Sequence, residues 1–259
     1  MDAIKSNRKF MQCPLFRDIM SESDQQKGIP HPPHSHPVKG ELVRLPSFEK
    51  AAVNDSYMKL LDIRRSERVY SEEGMTQAQL AYMLWTAQSV QEFRGDTKAS
   101  TLRPVPSGGA RHPFELYAAV KKVTGLKPGI YRYAPLEHVG EKAVTVEYMG
   151  NLDNPEERIS EMCAGQKWAG KAPVVLFLTC VPYRAEWRYK EASHRVALID
   201  LGHVGQNIML SAAALGLGSC CIAAFSQEDC DKVLNIDGEN EFTVYAVTVG
   251  AVKQKEDTK

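Results

Sequence analysis

Residues 193–215 read SHRVALIDLGHVGQNIMLSAAAL. Val196, Ala197, Ile199, Val204, Ile208, Met209, Ala212 and Ala213 recur at helical spacing and leave the stretch apolar around most of its circumference. At 1.5 Å per residue the helix extends roughly 34 Å, and Gly216 stops it. A helix of that kind is central, either to the core of one chain or to an interface between two copies. Its polar exceptions Asp200, His203 and Asn207 share one side. They are expected to form a buried hydrogen-bond network, located where two helices meet across a dimer axis, with Gly202 and Gly205 permitting close backbone approach.

Working outward, Pro173 to Cys180 is almost continuously apolar and rich in β-formers, which suits a central strand covered on both faces. Phe114 to Val120 and Gly129 to Tyr133 read as strands separated by the Gly125–Pro128 turn, and a third falls near Val144 to Tyr148. After Gly216, Ser219 to Ala224 reads as a short strand, Gln227 to Leu234 as a helix and Phe242 to Val249 as a terminal strand. Upstream, a helical pattern runs from Phe48 toward Leu61, and Thr76 with Gln79 forms a capping box ahead of Leu80, Leu84, Ala87 and Val90. Strands and helices interleave in a mixed sheet without a regular βαβ repeat.

The 259 residues carry 32 Lys plus Arg against 32 Asp plus Glu, so no global field draws the chain to nucleic acid or acidic lipid, and any anion site is local. Met1 to Phe10 is polar and charged, and no apolar run reaches membrane-spanning length, so the expected location is the cytoplasm, with no membrane partner. The six cysteines show no CxxC spacing and are expected as free, mostly buried thiols; adjacent Cys220 and Cys221 point to opposite faces of a strand. Residues 1–45 form an extended arm in which His31, His34 and His36 stand among Pro30, Pro32, Pro33 and Pro37. It is expected to be solvent-exposed, because nothing near the histidines supplies the rigid scaffold or fourth ligand of a metal site. Residues 46–259 form the second division of the chain.

Two local features invite chemistry. Pro106-Ser107-Gly108-Gly109 runs into the strand at Phe114, and glycines at the mouth of a buried strand let backbone N–H groups approach a ligand; a tight turn that needs glycine dihedrals reads equally from the segment alone. Arg64, Arg65 and Ser66, with Arg68 close behind, concentrate positive charge beside a helix end and suit phosphate, a solvated basic turn being the alternative. The chain has no GxSxG elbow, HExxH helix, GxxxxGK loop or GxGxxG fingerprint. That leaves chemistry carried by a cofactor, which the protein positions.

LLDIRRSERVY (60–70), RPVPSGGARHPFELYAAV (103–120), GLKPGIYRY (125–133), ALIDLGHVGQNIMLSAAALGLGSCCIAAF (197–225) and YAVTVG (245–250) together resemble the FMN-dependent nitroreductase superfamily, and within it the branch of SagB-type dehydrogenases. The resemblance implies an α+β fold, a mixed, mainly antiparallel sheet flanked by helices, and an intimate homodimer with the long helix at the interface and two FMN molecules bound there. It implies that Arg64, Arg65 and Ser66 grip the FMN phosphate and ribityl region, with Arg68 a further candidate. Pro106, Ser107, Gly108 and Gly109 would lie along the isoalloxazine edge, Cys221, Ala223 and Ala224 on its other side, and Gln206 and Lys253 would add contacts.

The implied activity is hydride transfer from NADH or NADPH through flavin N5 to an electron-poor acceptor such as a nitroaromatic or quinone. Alternatives are an FMN-dependent dehydrogenase of a peptide or small metabolite, and a non-catalytic flavin-binding assembly partner. Azoline oxidases of the branch carry a Lys-Tyr pair before the long helix, where this chain has Arg188-Tyr189. Tyr189 keeps a potential acid or base, whereas an arginine stays protonated and makes a poor base.

Overall fold

The computed structural model describes residues 21–253, together with Arg8, Phe10 and Gln12; Cys13 and most of residues 1–20 lie outside that range. Seven strands form one sheet in the order β1-β6-β5-β4-β7-β9-β8. In chain order they are β1 (Glu41–Arg44), β4 (Phe114–Val120), β5 (Gly129–Tyr133), β6 (Thr145–Asn151), β7 (Val174–Cys180), β8 (Gly218–Ile222) and β9 (Phe242–Gly250), and a separate hairpin joins β2 (Glu92–Arg94) to β3 (Ser100–Leu102). Every ladder in the seven-stranded sheet is antiparallel.

Period-two alternation divides the central strands between two cores. Leu116, Leu176, Leu178, Val247 and Val249 face one side, where α2 (Gln77–Gln88) supplies Leu80 and Leu84, and α6 (Ser193–Ala214) supplies Val204, Ile208 and Ala212. Tyr117, Ala119, Val175, Phe177 and Ala246 face the other, covered by Ile159 and Met162 of α3 (Pro155–Met162), Ala169 of α4 (Lys167–Lys171), and Cys230 and Leu234 of α7 (Gln227–Leu234). Each fully buried Ile, Leu or Phe on these faces contributes roughly 1.5–3 kcal/mol of burial free energy. The structure also forms α1 (Tyr57–Ile63) and α5 (Tyr183–Tyr189).

The capping box at Thr76 and Gln79 is present. The helix expected from Phe48 is much shorter, confined to Tyr57–Ile63. Phe48 is instead drawn into the core, its ring 6.0 Å from Tyr82 and 5.7 Å from Trp85, and the chain begins a new helix after Ser56. Cys163, Cys180, Cys220 and Cys230 are buried free thiols and Cys221 is half-buried. Among the described residues no helix is long and apolar enough to cross a membrane.

Over its described part the arm is mostly exposed, yet it is docked on the sheet and not free, with Ser23, His34 and Ser35 buried. Proline keeps this backbone extended and leaves its N–H groups free, and buried carboxylates of the sheet take them up. Glu115 accepts from Ser35 Oγ (3.1 Å) and His36 N (2.9 Å), and Glu147 accepts from Lys39 N (2.7 Å) and Gly40 N. His36 Nε2 lies 2.7 Å from Glu241 Oε2, and Arg103 and Arg132 donate to the carbonyls of His34 and Pro37. Arg184 pairs with Glu115 and Arg132 with Glu147. Burial alone would raise the Glu115 carboxyl, yet the Arg184 guanidinium and His36 hold it below the usual range. The three histidines part company: His31 stacks on His34 at 4.8 Å, His34 Nε2 bonds to Lys98 O, and His36 faces Glu241.

Burial lowers the pKa of His34 to about 4 and that of His112 to about 2. Both are neutral in the folded chain where the unfolded chain binds protons, so their stabilising contribution is complete above pH 6.5 and is lost as pH falls toward 4. Unfolding free energy is expected to drop by about 1 kcal/mol per histidine per pH unit in that window. Denaturant titration at pH 7, 6 and 5 checks this, and His34→Gln is expected to flatten the slope.

Candidate functional site

The sequence-predicted residues fall into three groups strung along α6. The first lies at its C-terminal end. Arg64 closes α1, its N–H bonded to Leu60 O, and the chain then runs beside the start of β8: Ser66 bridges Ser219, and Glu67 N donates to Ser219 O at 2.9 Å. Lys253 N donates to Val69 O, so the tail stitches to the same segment. Arg64 and Arg65 line a cleft with Met209, Ala213, Leu217 and Ser219. Neither arginine nor Arg68 has a carboxylate partner among the described residues, although Arg65 donates to Arg64 O. Ser66 and Arg65 are exposed and Arg64 half-buried. Two unpaired guanidinium groups and a hydroxyl beside an apolar wall suit a phosphate monoester carried on a larger organic body.

The second group lies in the middle of the helix. Gly205 lets α6 close on the sheet: a Cβ there would lie 2.9 Å from Tyr245 Cε1 and 3.5 Å from Cys221 Sγ. Close approach at Gly205 is therefore made inside the chain, whereas Gly202 faces open space. Burial pushes the Cys221 thiol up, which keeps it protonated and suits packing. Ala223 and Ala224 are exposed, and Gln206 lies on the outer side of α6.

Ala224 O accepts from Gln166 Nε2 at 2.7 Å, and the same amide donates to Cys163 O at 3.0 Å. Gln166 Oε1 accepts from Trp168 Nε1 at 3.2 Å, and the Trp168 ring carries the Arg68 guanidinium 5.5 Å from its centroid. Gln166 and Trp168 thus connect Arg68 to the Ala223–Ala224 segment. Sequence reading missed both, because they sit in the weakly patterned stretch Ala164-Gly165-Gln166-Lys167-Trp168, which carries no periodic signal.

The third group is the glycine turn, held at the N-terminal half of α6. Asp200 accepts from Ser107 Oγ at 2.6 Å and from Gly108 N at 3.0 Å, and Ser107 Oγ in turn accepts from His112 N at 2.9 Å. Burial raises the Asp200 carboxyl despite these donors. The expected network of Asp200, His203 and Asn207 divides: Asp200 serves the turn, Asn207 Nδ2 donates to Thr86 O, and His203 is exposed. Gly109 has φ +56°, and a Cβ on it would lie 2.5 Å from Tyr189 Oη and 2.9 Å from Arg188 Nε; one on Gly108 would strike Val196. The chain's own side chains therefore impose the glycine pair. From Asp200 to Met209 and Ala213 is nine to thirteen residues, about 14–20 Å of helix, so the turn and the arginines do not meet within one chain.

An antiparallel sheet thus packs on one long buried helix, beside which lie arginines with no carboxylate partner among the described residues and a carboxylate-anchored glycine turn. The sequence model of the Nitroreductase family matches residues 61–251, and the chain belongs to that family of flavin-binding oxidoreductases. A Methanocaldococcus jannaschii protein bearing the nitroreductase name is 29% identical over 208 residues, covering 80% of this chain and 95% of its own length. The microcin B17-processing protein McbC of Escherichia coli is 26% identical over 153 residues, 57% of this chain and 54% of its own. A solved nitroreductase structure from Anabaena variabilis superposes with a TM-score of 0.60 at 30% identity, over 75% of this chain and 37% of that one.

Asp200→Ala removes the acceptor of two donors and is expected to cost about 2–4 kcal/mol of unfolding free energy, measured by chemical denaturation. Gln166→Leu is expected to raise amide hydrogen exchange in 163–168 and 223–226 while leaving β4 and β7 protected.

Proposed function

We propose that the chain is an FMN-dependent oxidoreductase that passes a hydride from NADH or NADPH to an electron-poor small molecule, a nitroaromatic or a quinone. The observation that carries this reading is the pair Arg64 and Arg65, cations without carboxylate partners at the mouth of an apolar cleft beside β8. Bound FMN supplies a redox-active ring that accepts and returns a hydride. For a quinone the net exchange is NAD(P)H, a proton and quinone giving NAD(P)+ and hydroquinone.

The residues of this chain bind, orient and protonate. Arg64, Arg65 and Ser66 hold the phosphate end, with Lys253 and the Trp168-supported Arg68 as further cations. Asp200 fixes the Ser107–Gly109 turn and Gln166 fixes the Ala224 carbonyl, so the two backbone edges that border the ring are set before it binds. Tyr189 keeps a phenolic hydroxyl over Gly109 and is the candidate proton donor.

The turn and the arginines lie apart along α6, and Tyr57, Met58, Ile63, Leu198 and Ile199 leave a broad apolar surface on α1 and α6. A homodimer that buries this surface brings the turn of one copy toward the arginines of the other. The cofactor-binding unit is assigned to residues 46–259, against which the described part of the 1–45 arm packs, and the reaction to the cytoplasm, where reduced nicotinamide is available.

The likeness to McbC favours a second reading, an FMN-dependent dehydrogenase acting on a peptide or small metabolite. Anaerobic titration separates the two: NADH or NADPH is expected to bleach the flavin band within seconds, whereas a band that neither nicotinamide touches and a peptide substrate does would transfer the assignment. Arg64→Ala and Arg65→Ala are each expected to weaken FMN binding about tenfold to hundredfold by fluorescence titration, with the circular dichroism spectrum unchanged.

A further inference from the structure

Around Gly109 the chain gathers two arginines while the nearby acids are engaged by other groups. Arg188 ends α5, its Cδ and Nε each 2.9 Å from where a Cβ on Gly109 would stand. Its Nε is sealed from solvent and has no hydrogen-bond partner. Its guanidinium makes no hydrogen bond or ion pair among the described residues, and its one recorded neighbour of note is the Tyr189 ring, 5.5 Å away. Arg111 stands close by, donating to Gly109 O at 3.1 Å and to Ala99 O, with its guanidinium 4.9 Å from the Trp187 centroid. Burial and, after it, the charge of Arg188 lower the Arg111 pKa to about 10, so the two cations feel each other.

The surrounding acids are otherwise engaged. Asp200 is occupied by Ser107 and Gly108, and Glu186 lies 2.8 Å from His194 Nε2. A half-buried arginine with a sealed, unsatisfied Nε is costly unless something completes it. The sealed atom is Nε alone, so the terminal nitrogens remain reachable from outside. A guanidinium presents a planar fork that a carboxylate matches with two parallel hydrogen bonds.

We propose that Arg188, supported by Arg111, anchors a carboxylate of the small-molecule substrate, so that the enzyme prefers aromatic or quinonoid acceptors bearing a carboxylate to their neutral counterparts. The proposal rests on the reading above that places the Ser107–Gly109 turn at the edge of the bound flavin, for it is that turn which Arg188 overhangs. In this role Arg188 is a substrate-binding residue, and Tyr189, next along the chain, faces the same turn as the candidate proton donor.

The FMN-loaded protein is titrated with benzoate and with its neutral isostere benzamide by calorimetry, as wild type, Arg188→Met and Arg188→Lys. Benzoate is expected to bind the wild type more tightly than benzamide, and Arg188→Met to weaken benzoate about tenfold to hundredfold. Arg188→Lys is expected to recover part of that loss, since it keeps the charge without the fork. In turnover, the wild-type preference in kcat/KM for 4-nitrobenzoate over 4-nitrobenzamide is expected to collapse in Arg188→Met, through KM rather than kcat.

Equal benzoate affinity in wild type and Arg188→Met, with matching near-ultraviolet circular dichroism, overturns the carboxylate site. So does a change confined to the KM for NADPH with benzoate binding intact, which would make the anion a nicotinamide phosphate. The underlying reading fails separately and visibly: a protein that takes up no FMN, or whose flavin no nicotinamide reduces, refutes the oxidoreductase assignment, while Arg188-dependent benzoate binding would still uphold the anion site.

Discussion

Burial of α6 against the β4–β7–β9 face is the constraint on which the rest of the molecule depends. Val204, Ile208 and Ala212 are almost wholly enclosed, and Gly205 lets the helix axis come close enough for Tyr245 and Cys221 to pack against its backbone. Once that contact is made, the direction of the helix is fixed, and with it the positions of everything the helix touches. The Asp200 carboxylate meets the glycine turn at one level, Cys221 follows at the next, and the arginine cleft forms beside Met209 and Ala213 at the far end. A loop cannot hold such spacing by itself; a regular rise of 1.5 Å per residue can.

Charge is handled in two opposed ways. Beneath the proline-rich arm, Arg184 with Glu115 and Arg132 with Glu147 are buried as pairs, and their remaining oxygens accept backbone or side-chain donors from residues 35–40. Such pairs add little net stability over a well-packed apolar pair, because desolvation offsets the attraction, but they define where the arm must lie. Beside α6 the pattern reverses: among the described residues Arg64, Arg65 and Arg188 have no acidic partner.

Much of the architecture was legible in the residues. β4, β5 and α7 begin and end where alternation and turn residues put them, and β7 and α6 agree to within a residue or two, because apolar periodicity and flanking turn residues mark those segments. The short elements were not legible. β1, the β2–β3 hairpin and α3 to α5 carry too few apolar repeats to stand out, and they form because the sheet edge and the second core accept them. The arm shows the same limit: proline spacing announced an extended chain, but the carboxylates that bind it come from positions 115, 147 and 241, far away in sequence.

The sequence by itself determined the fold class, the central helix, the two local clusters at Arg64–Ser66 and Ser107–Gly109, and the membership in a flavin-binding family, since each is a property of contiguous residues. The tertiary structure decided what those residues touch. Only folding brings Asp200 to Ser107, Gln166 to Ala224 and Arg188 over Gly109, contacts that join positions 93, 58 and 79 residues apart in the chain. The physical reason is that hydrogen bonding and charge act over a few ångströms of space, whatever the separation along the chain, and only the burial of α6 on the sheet closes those distances.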